Sequence, residues 1–208
     1  MKQNLLFANL VCLIVLALTA CTTDTKLVKA WSDDTYTRGS LRSVLIIGVS
    51  DQPSKRRILE NSFTKAFKQN RVDALSSLAI MAAETKITKQ TVESAISDRN
   101  IDAVLVTHLV RVEDKTFYSG PHPSTYRSER EFRQNLWQHY DSVYDYAHDP
   151  SLYKKHRSVI LETNLYDAKT AKLIWSIQSE SLDPRSADEI VQSLGRLIVE
   201  SLKKQKLI

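Results

Sequence analysis

Residues 44–49 read Val-Leu-Ile-Ile-Gly-Val, an apolar, β-branched run closed at both ends by polar residues. A run this short and this uniformly apolar suits a strand covered on both faces, which is the habit of parallel strands in α/β sheets. After Pro53, Ile58, Leu59, Ser62, Phe63, Ala66 and Phe67 fall on one side of a helical wheel, so a helix is expected to follow and pack on the sheet. A second strand is expected over 71–75. Thr88 then reads as the N-cap of a second helix, with Ile87 and Val92 placed as a hydrophobic staple. The apolar stretch 103–110 supplies a third strand. The first half thus has the order β-α-β-α-β.

The second half carries a different period. Val159, Leu161 and Leu165 alternate with polar residues and answer Leu173, Trp175 and Ile177, while Asp167-Ala168-Lys169-Thr170 between them reads as a hairpin turn. A last helix is announced by Pro184 and by Ser186 with Glu189 as a capping box. Its apolar stripe is Ile190, Val191, Leu194, Leu197, Ile198 and Leu202, and Lys203, Lys204 and Lys206 suit its C-terminal end. The expected fold class is α/β: one domain over 39–208, with a mixed sheet of about five strands, an insertion, a hairpin and a C-terminal helix.

The search for chemistry excludes more than it finds. The chain has four glycines, Gly39, Gly48, Gly120 and Gly195, too few and too scattered for a phosphate cradle or a dinucleotide fingerprint. Gly48-Val49-Ser50-Asp51-Gln52 lies where a hydrolase nucleophile elbow would sit, but Gln52 replaces its second glycine, and Ser50 reads as a turn residue. Arg57 and Glu60 are spaced to pair on the surface of the first helix. Lys55, Arg56 and Arg57 crowd the start of that helix against its dipole, which suggests either plain solvation or an acidic partner. His108 is expected to be a half-buried strand residue. The spacings of His122, His139, His148 and His156 do not match compact zinc sites, although Asp141, Asp145 and Asp149 lie nearby. The reading is therefore a non-enzyme with no cofactor and no metal. A metal-assisted hydrolase built on those histidines and aspartates is the alternative.

Between residues 113 and 156 the composition changes. These 44 residues hold nine of the 16 aromatics, among them Phe117, Tyr118, Tyr126, Trp137, Tyr140, Tyr144, Tyr146 and Tyr153. A connection this long is uncommon in a compact domain unless it is functional or structured in its own way. The rings either form a second small core or present a binding face, with Phe117, Tyr118, Tyr126, Trp137, Tyr140, Tyr144 and Tyr146 as the candidate partner surface.

The N-terminus supplies an address. Lys2 precedes a run that is almost wholly apolar from residue 5 to residue 18, too short for a spanning helix of about 20 residues. Leu18-Thr19-Ala20-Cys21 resembles the lipobox of exported bacterial lipoproteins. That resemblance implies a signal peptide over 1–20, lipid on Cys21 and a lipidated tether over 21–38. Thr22 stands where an aspartate would imply inner-membrane retention, so the outer membrane, facing the periplasm, is the expected location. Processing would leave 188 residues, no free thiol and a formal charge of +4, from 28 basic and 24 acidic residues. The expected partners are the membrane through Cys21 and an envelope protein or polysaccharide, with no nucleic acid.

Glu162-Thr163-Asn164-Leu165-Tyr166-Asp167, then Lys172-Leu173-Ile174-Trp175-Ser176, then Asp183-Pro184, resemble the signature of a large uncharacterised family of small Gram-negative envelope lipoproteins. The resemblance implies a compact α/β domain, similar in outline to lipoproteins that activate penicillin-binding proteins or form rings in polysaccharide export. No catalytic residues come with it. The function expected is a non-catalytic, outer-membrane-anchored binding or assembly module, with self-association as a structural lipoprotein a further alternative.

Overall fold

A computed structural model describes residues 25–37, 39–81, 87–118 and 153–208. In chain order these form β1 (Thr25–Ser32), β2 (Ser43–Val49), α1 (Pro53–Gln69), β3 (Asp73–Ser76), α2 (Ser77–Ile80), α3 (Lys89–Ser97), β4 (Ala103–Tyr118), β5 (Tyr153–Asp167), β6 (Leu173–Leu182) and α4 (Ala187–Lys204). The sheet has six strands in the order β1-β6-β5-β4-β2-β3. β2 pairs in parallel with β3 and β4, whereas β4, β5, β6 and β1 are antiparallel in turn.

The α/β class expected from the patterning is the one observed, with three differences. The sheet gains a sixth strand because Thr25–Ser32, read as part of a tether over 21–38, pairs along β6 from Thr25↔Ser181 to Ser32↔Trp175. Its sequence hid this: an edge strand gains hydrogen bonds on one side only, so it needs no apolar run, and Lys26 and Lys29 suit an exposed edge. Secondly, the ends of the stretch 113–156 are not insertion. β4 and β5 continue into it and stay paired out to Tyr118↔Tyr153, leaving 119–152 outside the described residues. Thirdly, the second strand begins at Asp73, after Arg71 in a left-handed conformation (φ 63°) has closed α1.

Two cores flank the sheet. Alternate residues of β2, Val44 and Ile46, join Phe63 and Phe67 of α1, Leu105, Leu165 and Trp175 of the sheet, and Leu194, Ile198 and Leu202 of α4. The other alternates, Leu45 and Ile47, pack with Val104, Ile101 and Ala95 of α3. β2 is therefore covered on both faces, as its composition requires. Gly195 lets α4 close on α1, since a Cβ there would sit 3.3 Å from the Phe63 ring.

Local signals read from sequence hold where they are described. Thr88 caps α3 through a capping box with Thr91. Ser186 accepts from the Glu189 N–H at 3.1 Å, although the Glu189 carboxylate turns to the Arg185 N–H rather than back to Ser186. Asp167 Oδ1 accepts from the N–H groups of Lys169 and Thr170 and from the Thr170 hydroxyl, which fixes the β5–β6 turn.

Candidate functional site

The chain leaves β2 for β3 by way of α1 on one face of the sheet and reaches β4 by way of α2 and α3, with α3 on the other face. From the carboxyl end of β2 the chain turns to β3 on one side, and from that of β4 it turns to β5 on the other, and in open α/β sheets such a switch point is where a crevice forms. Here it is a cleft of about 810 Å³. The floor is aliphatic: Leu109 and Val112 of β4, Val159 and Leu161 of β5. One wall is the first turns of α1, with Lys55, Arg56 and Leu59, and the other is the first turns of α4, with Ala187, Ile190 and Val191. Ser50, Asp51, Pro184, Ser186 and Arg157 form the rim. Leu109 and Val112 are each 52% exposed, so the floor presents apolar surface to whatever enters.

A buried polar cluster braces the α1 wall. Glu60 is fully buried, and its Oε1 accepts from the Gly48 N–H at 3.0 Å, from Arg56 Nε at 2.9 Å and from the Ser77 hydroxyl at 2.6 Å. Its Oε2 accepts from the Ser76 hydroxyl at 2.6 Å and the Leu78 N–H at 3.0 Å. Arg56 Nη2 also donates to Ser77 at 2.7 Å. Burial pushes the Glu60 carboxyl up, but the donors of Ser76, Ser77, Gly48 and Leu78 outweigh it and hold the group below the ordinary glutamate value. This corrects the expected surface pair of Arg57 with Glu60: Arg57 points to solvent and the partner is Arg56, one turn away at i,i+4. Gly48 belongs to the same arrangement, for a Cβ there would meet Leu59 at 3.3 Å and Arg56 at 3.4 Å, so its absence lets α1 start against the strand end.

A second set of contacts ties the β5 start to the β6 end. Asp183, in a left-handed turn (φ 46°), bonds His156 Nδ1 through one oxygen and accepts from the Arg157 N–H at 2.7 Å through the other. The His156 and Arg157 contacts lower the Asp183 carboxyl. Lys115 bonds Glu180, which also accepts from Ser158. The Lys115 contact lowers the Glu180 carboxyl and raises the Lys115 amine in turn.

Of the residues singled out from sequence, Ser50 is a turn residue whose hydroxyl accepts from the Gln52 N–H, and His108 is half-buried and pairs across the sheet with Glu162. Phe117 is exposed and meets His156 edge-on at 5.3 Å, and Tyr118 ends β4. Tyr126, Trp137, Tyr140, Tyr144 and Tyr146 lie outside the described residues, as do Cys21, His122, His139, His148, Asp141, Asp145 and Asp149. Among the described residues no group of three or more His, Cys, Asp or Glu could hold a metal ion, and no helix is long and apolar enough to cross a membrane. The cleft itself was not anticipated. Its signal was present in the β-α-β-α-β order, which places a switch point after β2, and in the crowding of Lys55 and Arg56 at the start of α1.

No family model matches the chain and no curated protein matches it. Among solved structures, a PelC dodecamer from Paraburkholderia phytofirmans aligns with 14% identity over 86% of this chain and 97% of its own, at a TM-score of 0.46. The lipoprotein GNA1162 from Neisseria meningitidis aligns with 14% identity over 78% and 98%, at 0.40. A PDZ domain protein from Parabacteroides distasonis aligns with 10% identity over 85% of this chain and 36% of its own, at 0.37. These likenesses are distant.

Proposed function

We propose that this chain is a non-catalytic lipoprotein of the cell envelope, held at the outer membrane by lipid on Cys21 and facing the periplasm, which works as a binding or assembly module. The observation that carries the binding role is the cleft at the switch point, whose floor leaves Leu109 and Val112 half-exposed between two helix walls. Apolar surface held open in a concavity gains from being covered, at roughly 25 cal/mol per Å² removed from water. Among the described residues the lining is mostly aliphatic, with His108 but no Phe, Tyr or Trp, which favours an apolar segment of a protein partner over a sugar that would stack on rings. Lys55 and Arg157 at its edge favour acidic residues flanking that segment.

Two measurements test the reading. Cys21→Ser is expected to move the protein out of the lipidated outer-membrane fraction, and unchanged fractionation with unmodified Cys21 would end the lipoprotein reading. A photoreactive residue at Leu109 is expected to give an adduct with an envelope protein in living cells, absent from the same residue placed at Lys169 in the distant β5–β6 turn. Equal labelling from both positions would end the cleft reading.

A further inference from the structure

The pairing of β1 with β6 shortens the link between the anchor and the folded body. Thr25 is already in the sheet, opposite Ser181 and bonded to Ser193 of α4 at 2.6 Å, and lies only four residues along the chain from Cys21, with Thr22, Thr23 and Asp24 between. Four residues reach at most about 14 Å.

That short link leaves from a particular end of the molecule. β1 and β5 begin there, β2 and β4 end there, and α1 and α4 start there. The β4–β5 ribbon runs on past the last β5–β6 pair, Ser158↔Leu182, out to Tyr118↔Tyr153. The five residues beyond Ser158 extend it by about 17 Å at roughly 3.4 Å per residue, further than the link to Cys21 can stretch. With the strands pointing toward the bilayer, the ribbon meets the headgroups before the link is taut. With the opposite polarity, the body would have to fit between Thr25 and the bilayer, and eight-residue β1 alone is about 27 Å long.

The ribbon has the chemistry for that contact. Arg111, Lys115, Lys154, Lys155 and Arg157 outnumber Glu113 and Asp114, and Phe117 and Tyr153 are 44% and 45% exposed. Arg111 and Lys115 are paired with Glu113, and Lys115 also with Glu180, but Lys154 and Lys155 are exposed, and the ion pair of Arg157 with Asp114 is long, at 4.0 Å, with both side chains about two-thirds exposed. Cations beside exposed rings suit the interface between anionic headgroups and acyl chains. We infer that the β4–β5 ribbon seats on the anionic surface of the anchoring bilayer and turns the mouth of the cleft toward it. This rests on the lipoprotein reading of Cys21.

The test uses the mature lipidated chain in vesicles containing phosphatidylglycerol. Once Cys21 carries lipid no other thiol remains, so Thr116→Cys and Lys169→Cys each take one spin label, on the ribbon and on the opposite end of the sheet. The Thr116 label is expected to be shielded from a water-soluble nickel relaxant and the Lys169 label to stay accessible. Each cation near an anionic surface shifts such an equilibrium about fivefold, so Lys154→Gln, Lys155→Gln and Arg157→Gln together are expected to lower the seated-to-lifted ratio on the order of a hundredfold. Vesicles of phosphatidylcholine alone are expected to do the same. If both labels are equally accessible while the chain stays on the vesicles, the seat is wrong and the anchor stands. If the chain does not stay on the vesicles, the anchor is wrong and the seat falls with it.

Discussion

Glu60 shows how far one side chain governs the region behind the cleft. Five donors converge on its carboxylate from α1, the end of β2 and the junction of β3 with α2, so three separate elements are registered through one charge. Removing one partner of a buried ion pair leaves the other charge uncompensated, and Glu60→Ala is therefore expected to lose about 3 to 5 kcal/mol of stability by urea denaturation. The pH dependence has a definite sign. The folded carboxyl titrates below its ordinary value of 4.5, so its contribution is fully present above that pH and is lost as pH falls through the folded value. The gap in urea midpoint between the native chain and Glu60→Gln is expected to be open at about pH 7 and to narrow steadily below about pH 4.5. A gap that does not change with pH would place the stabilisation in packing rather than charge. The sequence contained this residue but misassigned its partner. Arg56 and Arg57 are both one helical turn from Glu60, and only burial, which depends on where α1 sits against Gly48, selects Arg56.

At the scale of elements, legibility follows how locally each signal is encoded. α4 was readable because its cap, its stripe and its terminal lysines are all in one stretch, and Asp167 marked the β5–β6 turn by itself. β1 was missed since its strand pairing is with β6, some 150 residues away, and the far halves of β4 and β5 were missed because each is legible only as the other's partner. The contact between α1 and α4 is of the same kind. Gly195 is unremarkable in sequence, yet its missing side chain is what the Phe63 ring occupies. Gly195→Leu must push the helices apart or force strained rotamers, and is expected to cost about 1 to 3 kcal/mol in urea or thermal unfolding. If the variant is as stable as the native chain, the helices have more freedom than this packing implies.

For the whole molecule, the sheet order gathers the candidate site at one end. Helix starts, the strand ends that open the cleft, the ribbon and the first residue of β1 are gathered at one end, while the β5–β6 turn closes the other. The candidate site is a product of this topology and not of any motif, which is why reading residue types alone passed over it: Leu109 and Val112 look like ordinary strand residues until the switch point leaves them uncovered. That origin makes stability and binding separable. Because both side chains are already half-exposed, Leu109→Glu with Val112→Glu removes little buried area and is expected to change stability by only about 0.5 kcal/mol or less for each substitution. The same pair places two carboxylates on an apolar floor, where a partner's apolar segment would have to desolvate them at several kcal/mol. The double variant is therefore expected to fold, fractionate and unfold like the native chain while losing the adduct formed from a photoreactive residue at Val159, on the same floor. Loss of the adduct together with a lowered unfolding midpoint would mean that Leu109 and Val112 serve the fold. An intact adduct with an unchanged midpoint would mean that the partner does not use the cleft.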